Sequence, residues 1–206
     1  MWNYEKRLQF PVKIQNCSPK TASLIISQFG GPDGELAASM RYLSQRYTMP
    51  CRKISGLLTD IGTEELAHME MICAMVYQLT KNMSTEDARA AGFDAYYIDH
   101  TSGLWPAASA GIPYNACEFQ SKGDAITDLM EDLAAEQKAR TTYDNLLRLI
   151  PDPDVKAPLR FLRARELVHF QRFGEALENL KEQLDTRNYY YFNPEFDKQF
   201  TESSII

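Results

Sequence analysis

The chain has 206 residues, 44% of them hydrophobic, with both signs of charge well represented and a formal net charge of −6. That length fits one domain, residues 1–206, with one sizeable core. The acidic balance argues against a nucleic-acid backbone or an anionic membrane as partner, because both attract basic surfaces. No apolar run reaches spanning length, and the opening Met-Trp-Asn-Tyr-Glu-Lys-Arg lacks the basic-then-apolar build of a signal peptide. Cys17, Cys51, Cys73 and Cys117 lie far apart and form no Cys-x-x-Cys pair for zinc or redox work. A soluble cytoplasmic protein with reduced thiols is expected.

In chain order, the first helical pattern runs from about Pro19 to Arg46, with Ser18 as N-cap and Pro19 in the first turn. Gly30-Gly31-Pro32-Asp33-Gly34 interrupts it, since proline removes a backbone donor and crowds the preceding turn, so a kink or restart is expected just before Glu35. The second pattern, about Pro50 to Thr80, places Leu58, Ile61, Glu65, His68, Ile72 and Met75 on one helical face. Gly62 on that helix is either tolerated or makes room beside the polar residues. Residues 82–121 are rich in Gly, Pro, Ala and Tyr and too long for a corner, which marks a crossover.

The third pattern starts near Ser121-Lys122-Gly123-Asp124, with capping chemistry, and ends at Ile150. Asp152 and Pro153 open the fourth, which continues through Leu159, Leu162, Glu166, His169, Phe173 and Leu177 to about Leu184. The expected fold is all-α: a four-helix bundle over about 19–184, with one long crossover between helices 2 and 3, a short N-terminal arm and an extended tail, 185–206. The tail carries Tyr189, Tyr190, Tyr191 and Phe192, an aromatic run expected to dock on a neighbouring subunit or coat protein.

Two of the three histidines follow a glutamate by three residues, as Glu65-Leu-Ala-His68 and Glu166-Leu-Val-His169. One helical turn brings each carboxylate and imidazole onto a common face. Glu35 precedes Glu65 by thirty residues, and Glu136 precedes Glu166 by the same interval. Ala38 and Tyr42 follow Glu35 at the offsets at which Ala139 and Tyr143 follow Glu136. Two such hairpins about a pseudo-two-fold axis gather four carboxylates and two imidazoles, the dimetal carboxylate pattern of ferritin-like bundles. Two divalent cations would neutralise carboxylates whose burial is otherwise costly. Glu64 competes with Glu65 for the ligand position, but Arg165 stands at the equivalent place in the second hairpin, which favours Glu65. Tyr42 and Tyr143 are either core aromatics or hydrogen-bond partners of the metal carboxylates, and their equal offsets favour the latter. His100, in the crossover, reads as a surface residue.

These residues resemble the manganese catalase family. The resemblance rests on Gln28-Phe-Gly-Gly-Pro-Asp-Gly-Glu35-Leu, Thr63-Glu-Glu65-Leu-Ala-His68-Met-Glu, Ala134-Ala-Glu136-Gln-Lys-Ala-Arg140-Thr-Thr-Tyr143 and Arg165-Glu166-Leu-Val-His169. The chain ends soon after the fourth helix, and in this it is similar to the spore-coat branch known as CotJC. The resemblance implies a dimanganese catalase that converts hydrogen peroxide to water and dioxygen. Glu35, Glu65, His68, Glu136 and His169 would hold the metals, with Glu65 bridging and Glu166 just outside as a catalytic base. It also implies a homo-oligomer, a hexamer of bundles, with spore-coat proteins as further partners. One imidazole and several carboxylate oxygens per metal suit manganese or iron alike; the choice of manganese rests on the resemblance. A di-iron ferritin-like oxidase or peroxidase, and a structural coat component with a vestigial site, are the alternative readings.

Overall fold

The computed structural model describes residues 7–97, 104–118 and 120–184. His100 and the aromatic run of the tail lie outside them. Among the described residues there is no β-strand, only an isolated antiparallel bridge between Ala107 and Pro113. The first bundle element is built from three pieces: α1 (Pro19–Ile25), α2 (Ser27–Gly30) and α3 (Glu35–Gln45). The restart at Glu35 is the expected one. The earlier break at Ile26 was not foreseen, and it leaves Ile25, Ile26 and Phe29 buried in the core. Ser18 caps α1 by accepting from the Thr21 amide at 3.3 Å.

After the turn 46–51, α4 (Arg52–Thr80) runs the length of the bundle; the crossover contains α5 (Thr85–Ala90) and short 3-10 turns. Asp124 then caps α6 (Ala125–Leu149) by accepting from the Thr127 amide at 2.8 Å. Pro153 opens α7 (Pro153–Leu184), with the Asp152 carboxylate accepting from the Asp154 amide at 2.8 Å. Helix α3 packs along α4, and α6 along α7, giving the two hairpins.

Two apolar clusters flank the middle of the bundle. One contains Ile25, Met71, Ile72, Met75, Tyr143 and Leu162, and the other Tyr42, Leu58, Ile61, Leu129, Phe173 and Leu180. Each fully buried aliphatic or aromatic side chain contributes about 1.5–3 kcal/mol relative to exposure. This offsets the cost of the polar layer between them. The N-terminal arm is held on α4 by Gln78, whose amide donates to the Val12 carbonyl at 2.9 Å and accepts from the Ile14 amide at 2.7 Å. Phe10 stacks on Phe161 of α7 at 5.1 Å between ring centres.

Two glycines record close approaches. A Cβ on Gly30 would lie 2.4 Å from the Ala107 amide nitrogen, so the crossover seats directly against α2. A Cβ on Gly62 would lie 2.9 Å from Leu43 Cγ, and its carbonyl accepts from Ser39 Oγ at 2.7 Å. Gly62 therefore makes room for α3.

Candidate metal centre

Glu35 is the first residue of α3, where the chain re-enters helix after the Gly-Gly-Pro-Asp-Gly turn. Glu65 and His68 lie one turn apart on α4, Glu136 lies on α6, and Glu166 and His169 lie one turn apart on α7. None of these six is more than 2% exposed, so the carboxylates cannot rely on bulk water for solvation.

Their donor atoms form two groups. Glu35, Glu65, His68 and Glu166 present atoms within 4.8 Å of one another, and so do Glu65, Glu136 and His169. Glu65 belongs to both groups, while Glu166 belongs to one. The two oxygens of Glu65 face different rings: Oε2 lies 2.7 Å from His68 Nδ1, and Oε1 lies 2.7 Å from His169 Nδ1. His68 Nδ1 is also 3.8 Å from Glu35 Oε2, and His169 Nδ1 is 3.5 Å from Glu136 Oε2. The imidazoles stack with their centres 5.6 Å apart. Both Nδ1 atoms thus point at the carboxylates.

The tyrosines cross between the hairpins. Tyr42 of α3 donates to Glu136 Oε1 on α6, and Tyr143 of α6 donates to Glu35 Oε1 on α3. The equal offsets in sequence become a reciprocal pair of hydrogen bonds in space. Each occupies one oxygen of a carboxylate and leaves the other facing the centre.

Without a cation the cluster is electrostatically strained. Burial, reinforced by the Glu65 charge, pushes the Glu35 carboxyl up to about 7. Burial and then the charges of Glu136, Glu35 and Glu65 push Glu166 well above the carboxylate range. Burial also raises Glu136. Burial opposes protonation of His169, but the facing Glu65 outweighs it and pushes the imidazole up to about 12. His68 is raised in the same way. Burial would raise Glu65 too, yet the His169 and His68 imidazoles hold it below the usual range. The buried carboxylates thus favour positive charge at the centre, and the two imidazoles face them.

The donor set fits a pair of divalent cations. Glu136 Oε2 and Glu166 Oε1 are buried without a hydrogen-bond partner, although buried polar atoms are nearly always satisfied. Both residues belong to the donor groups.

Over residues 1–204 the chain matches the family described as manganese containing catalase. The chain belongs to the manganese catalase family. It is 55% identical over 190 residues to Protein CotJC of Bacillus subtilis (strain 168), spanning 92% of this chain and 100% of that protein. A probable manganese catalase of Clostridium acetobutylicum is 34% identical over 193 residues, spanning 92% of this chain and 85% of that one. The crystal structure of wild-type KatB, a manganese catalase from Anabaena, superposes with a TM-score of 0.82 at 32% identity, over 94% of this chain and 87% of that chain. The all-helical bundle is thus the ferritin-like fold of the manganese catalases.

Two residues near the centre of this manganese catalase family member were not assigned a role by sequence reasoning. Glu64, set aside as a ligand, places its carboxylate behind the imidazoles: Oε2 lies 3.0 Å from His169 Nε2, and Oε1 lies 3.6 Å from His68 Nε2. The signal available in the sequence was the opposite charge of Arg165 at the matching position of the repeat. Asp132, one turn before Glu136 on α6, is fully buried with neither oxygen hydrogen-bonded. Burial pushes its carboxyl well above the usual range, against Gln45 and the Arg41 guanidinium, which lower it. No repeat marks it, because Gly31 stands at the matching place in the first hairpin.

Proposed function

We propose that this protein is a dimanganese catalase that disproportionates hydrogen peroxide to water and dioxygen. The observation that carries the reading is the pair of donor groups joined by Glu65, each with one imidazole Nδ1 and otherwise carboxylate oxygens. Glu35 and His68 would hold one metal, Glu136 and His169 the other, and Glu65 both. Manganese, rather than iron, follows from the family, since the donor chemistry suits either. Two manganese ions supply a reversible two-electron couple, so that the electrons released as one peroxide becomes dioxygen are returned to a second as it is reduced to two waters.

The chain's own residues have three tasks in this reading. Tyr42 and Tyr143 hold Glu136 and Glu35 in fixed rotamers from across the bundle, which keeps the centre's dimensions constant as charge changes. The flanking apolar clusters exclude bulk water. Glu166 is the base: its carboxylate accepts a proton as peroxide binds and returns it to the departing oxygen as the O–O bond breaks. Its place in only one donor group supports that role over a second bridge.

The chain forms a homo-oligomer in this reading, a hexamer as the family resemblance implies, and works in or beside the spore coat. The similarity to Protein CotJC over the whole of that protein supports the location. No helix among the described residues is long and apolar enough to cross a membrane. The test is oxygen evolution from peroxide by purified protein alongside metal quantitation from cells given both manganese and iron. Two manganese per chain with oxygen release is expected. Two irons, or full manganese without oxygen release, would favour the di-iron oxidase and the structural coat protein respectively.

A further inference from the structure

Glu64 sits behind the two imidazoles, on the side away from the metal-facing carboxylates. His68 and His169 both turn Nδ1 toward Glu65, and both turn Nε2 toward the Glu64 carboxylate. The His169 contact is a hydrogen bond at 3.0 Å. His68 Nε2 stands 3.6 Å away, buried, with no hydrogen-bond partner of its own. A buried imidazole N–H needs an acceptor, and Glu64 is the carboxylate within reach of it. Three further contacts hold Glu64: Arg165 Nε at 2.7 Å, Arg165 Nη2 at 3.0 Å and Gln9 Nε2 of the N-terminal arm at 2.6 Å. Gln9, Arg165 and the two imidazoles converge on one half-buried side chain.

We propose that Glu64 is a positioning residue that clamps both metal-binding imidazoles at once, holding each as the Nε2–H tautomer so that each Nδ1 lone pair faces the metals. The inference rests on the dimetal reading of the centre.

The alternative is a plain ion pair between α4 and α7. One feature speaks against it: a bare ion pair would not require the carboxylate to face both rings, as that of Glu64 does. At the matching place in the second hairpin stands Arg165. Strict repetition would put a second carboxylate at 165, beside Glu64, with each imidazole held by its own acceptor. The chain instead uses one acceptor for both rings and converts its twin into the arginine that neutralises it. The imidazoles of the two metals are thereby tied to one side chain, which in turn is tied to the arm.

An amide tests this, because it keeps the shape of Glu64 and changes only what it offers. A carboxylate accepts from both rings, whereas glutamine accepts with its oxygen and presents donors with its nitrogen. In Glu64→Gln one imidazole must meet an N–H, and the tautomer that relieves this puts its proton on the metal-facing nitrogen. Manganese titrations of full-length protein should show two sites in the wild type. In the variant, one of the two should weaken by about 10- to 100-fold, the range for loss of a partner that orients a metal-bound histidine. Nitrogen-15 spectra of the wild type loaded with zinc as a diamagnetic probe should show His68 and His169 protonated at Nε2, a readout that stands even if the variant folds poorly.

Two manganese sites of unchanged affinity in a folded Glu64→Gln, or an Nδ1 proton on either histidine of the zinc-loaded wild type, would overturn the clamp while leaving the dimetal reading intact. A wild type that takes up neither metal would overturn both.

Discussion

The α3–α4 and α6–α7 hairpins are alike in the residues that gather at the centre and unlike in many of those around it. Facing inward, both carry a glutamate, a Glu-x-x-His and a tyrosine seven residues after the first glutamate, and the tyrosines exchange hydrogen bonds across the axis. Outside that set the correspondence lapses. The first hairpin begins with a helix broken twice, at Ile26 and at Gly31 to Gly34, while α6 is continuous over 25 residues. Glu64 faces Arg165 at matching places, and buried Asp132 matches Gly31. A pair of similar cations requires two-fold symmetry only of the atoms that surround it. The supports of those atoms are free to differ, and here they do.

The largest effect should separate two residues at the same place in the repeat. Glu65→Ala removes the one carboxylate shared by both donor groups and should abolish uptake of both metals, whereas Glu166→Gln should retain both and lower peroxide disproportionation by about 10²- to 10⁴-fold, as for a lost general base. Metal analysis and oxygen-electrode rates on the two variants check this. Metal loss from Glu166→Gln would show that the hairpins are symmetric at this position as well.

Next in size is the loss of one metal. His169→Ala and Glu136→Ala each remove a donor from the group of α6 and α7, and each should leave the Glu35 and His68 side able to hold an ion while turnover disappears. Equal loss of both ions would mean that the two groups bind only together.

The pH response should distinguish the hairpins more gently. In the metal-free protein Glu35 is raised from 4.5 to about 7 and His169 from 6.5 to about 12. Groups raised on folding stabilise the folded state while protonated, so the Glu35 contribution is present below about pH 4.5 and is lost as pH rises through about 7. That of His169 persists far above this. Metal binding displaces these protons and should strengthen over the same interval. Melting curves at stepped pH should show the Glu35 contribution of the metal-free protein falling as stabilisation by manganese grows. Glu35→Gln should flatten the metal-free slope between pH 5 and about 8; an unaltered slope would place the titration elsewhere.

The smallest effect expected is a near-equality. Tyr42→Phe and Tyr143→Phe each leave a buried carboxylate oxygen without its donor, at a cost of about 1.5–3 kcal/mol by the usual worth of hydrogen bonds to charged groups. Similar falls in denaturation midpoint would extend the symmetry to the tyrosines. A marked inequality would assign one of them a duty beyond holding its glutamate.

The sequence by itself determined the four helical segments, though not the break at Ile26, together with the crossover and the six residues of the centre, because helical periodicity and a thirty-residue repeat are properties of spacing along the chain. It pointed to Tyr42 and Tyr143 by equal offsets, but that each reaches the opposite hairpin depends on how α3 and α6 lie against each other. Gly62 illustrates the same limit: the chain shows a glycine three residues before Glu65, and only packing shows that Leu43 fills the space beside it. Glu64 and Asp132 were beyond a repeat-based reading because each is matched by a different residue in the other hairpin. Their environments come from long-range contacts, with the N-terminal arm and α7 around one and Arg41 and Gln45 near the other. The residues of the centre repeat, as a pair of like metal sites would require, whereas the residues around them answer to whatever the fold brings alongside, and that is decided in three dimensions.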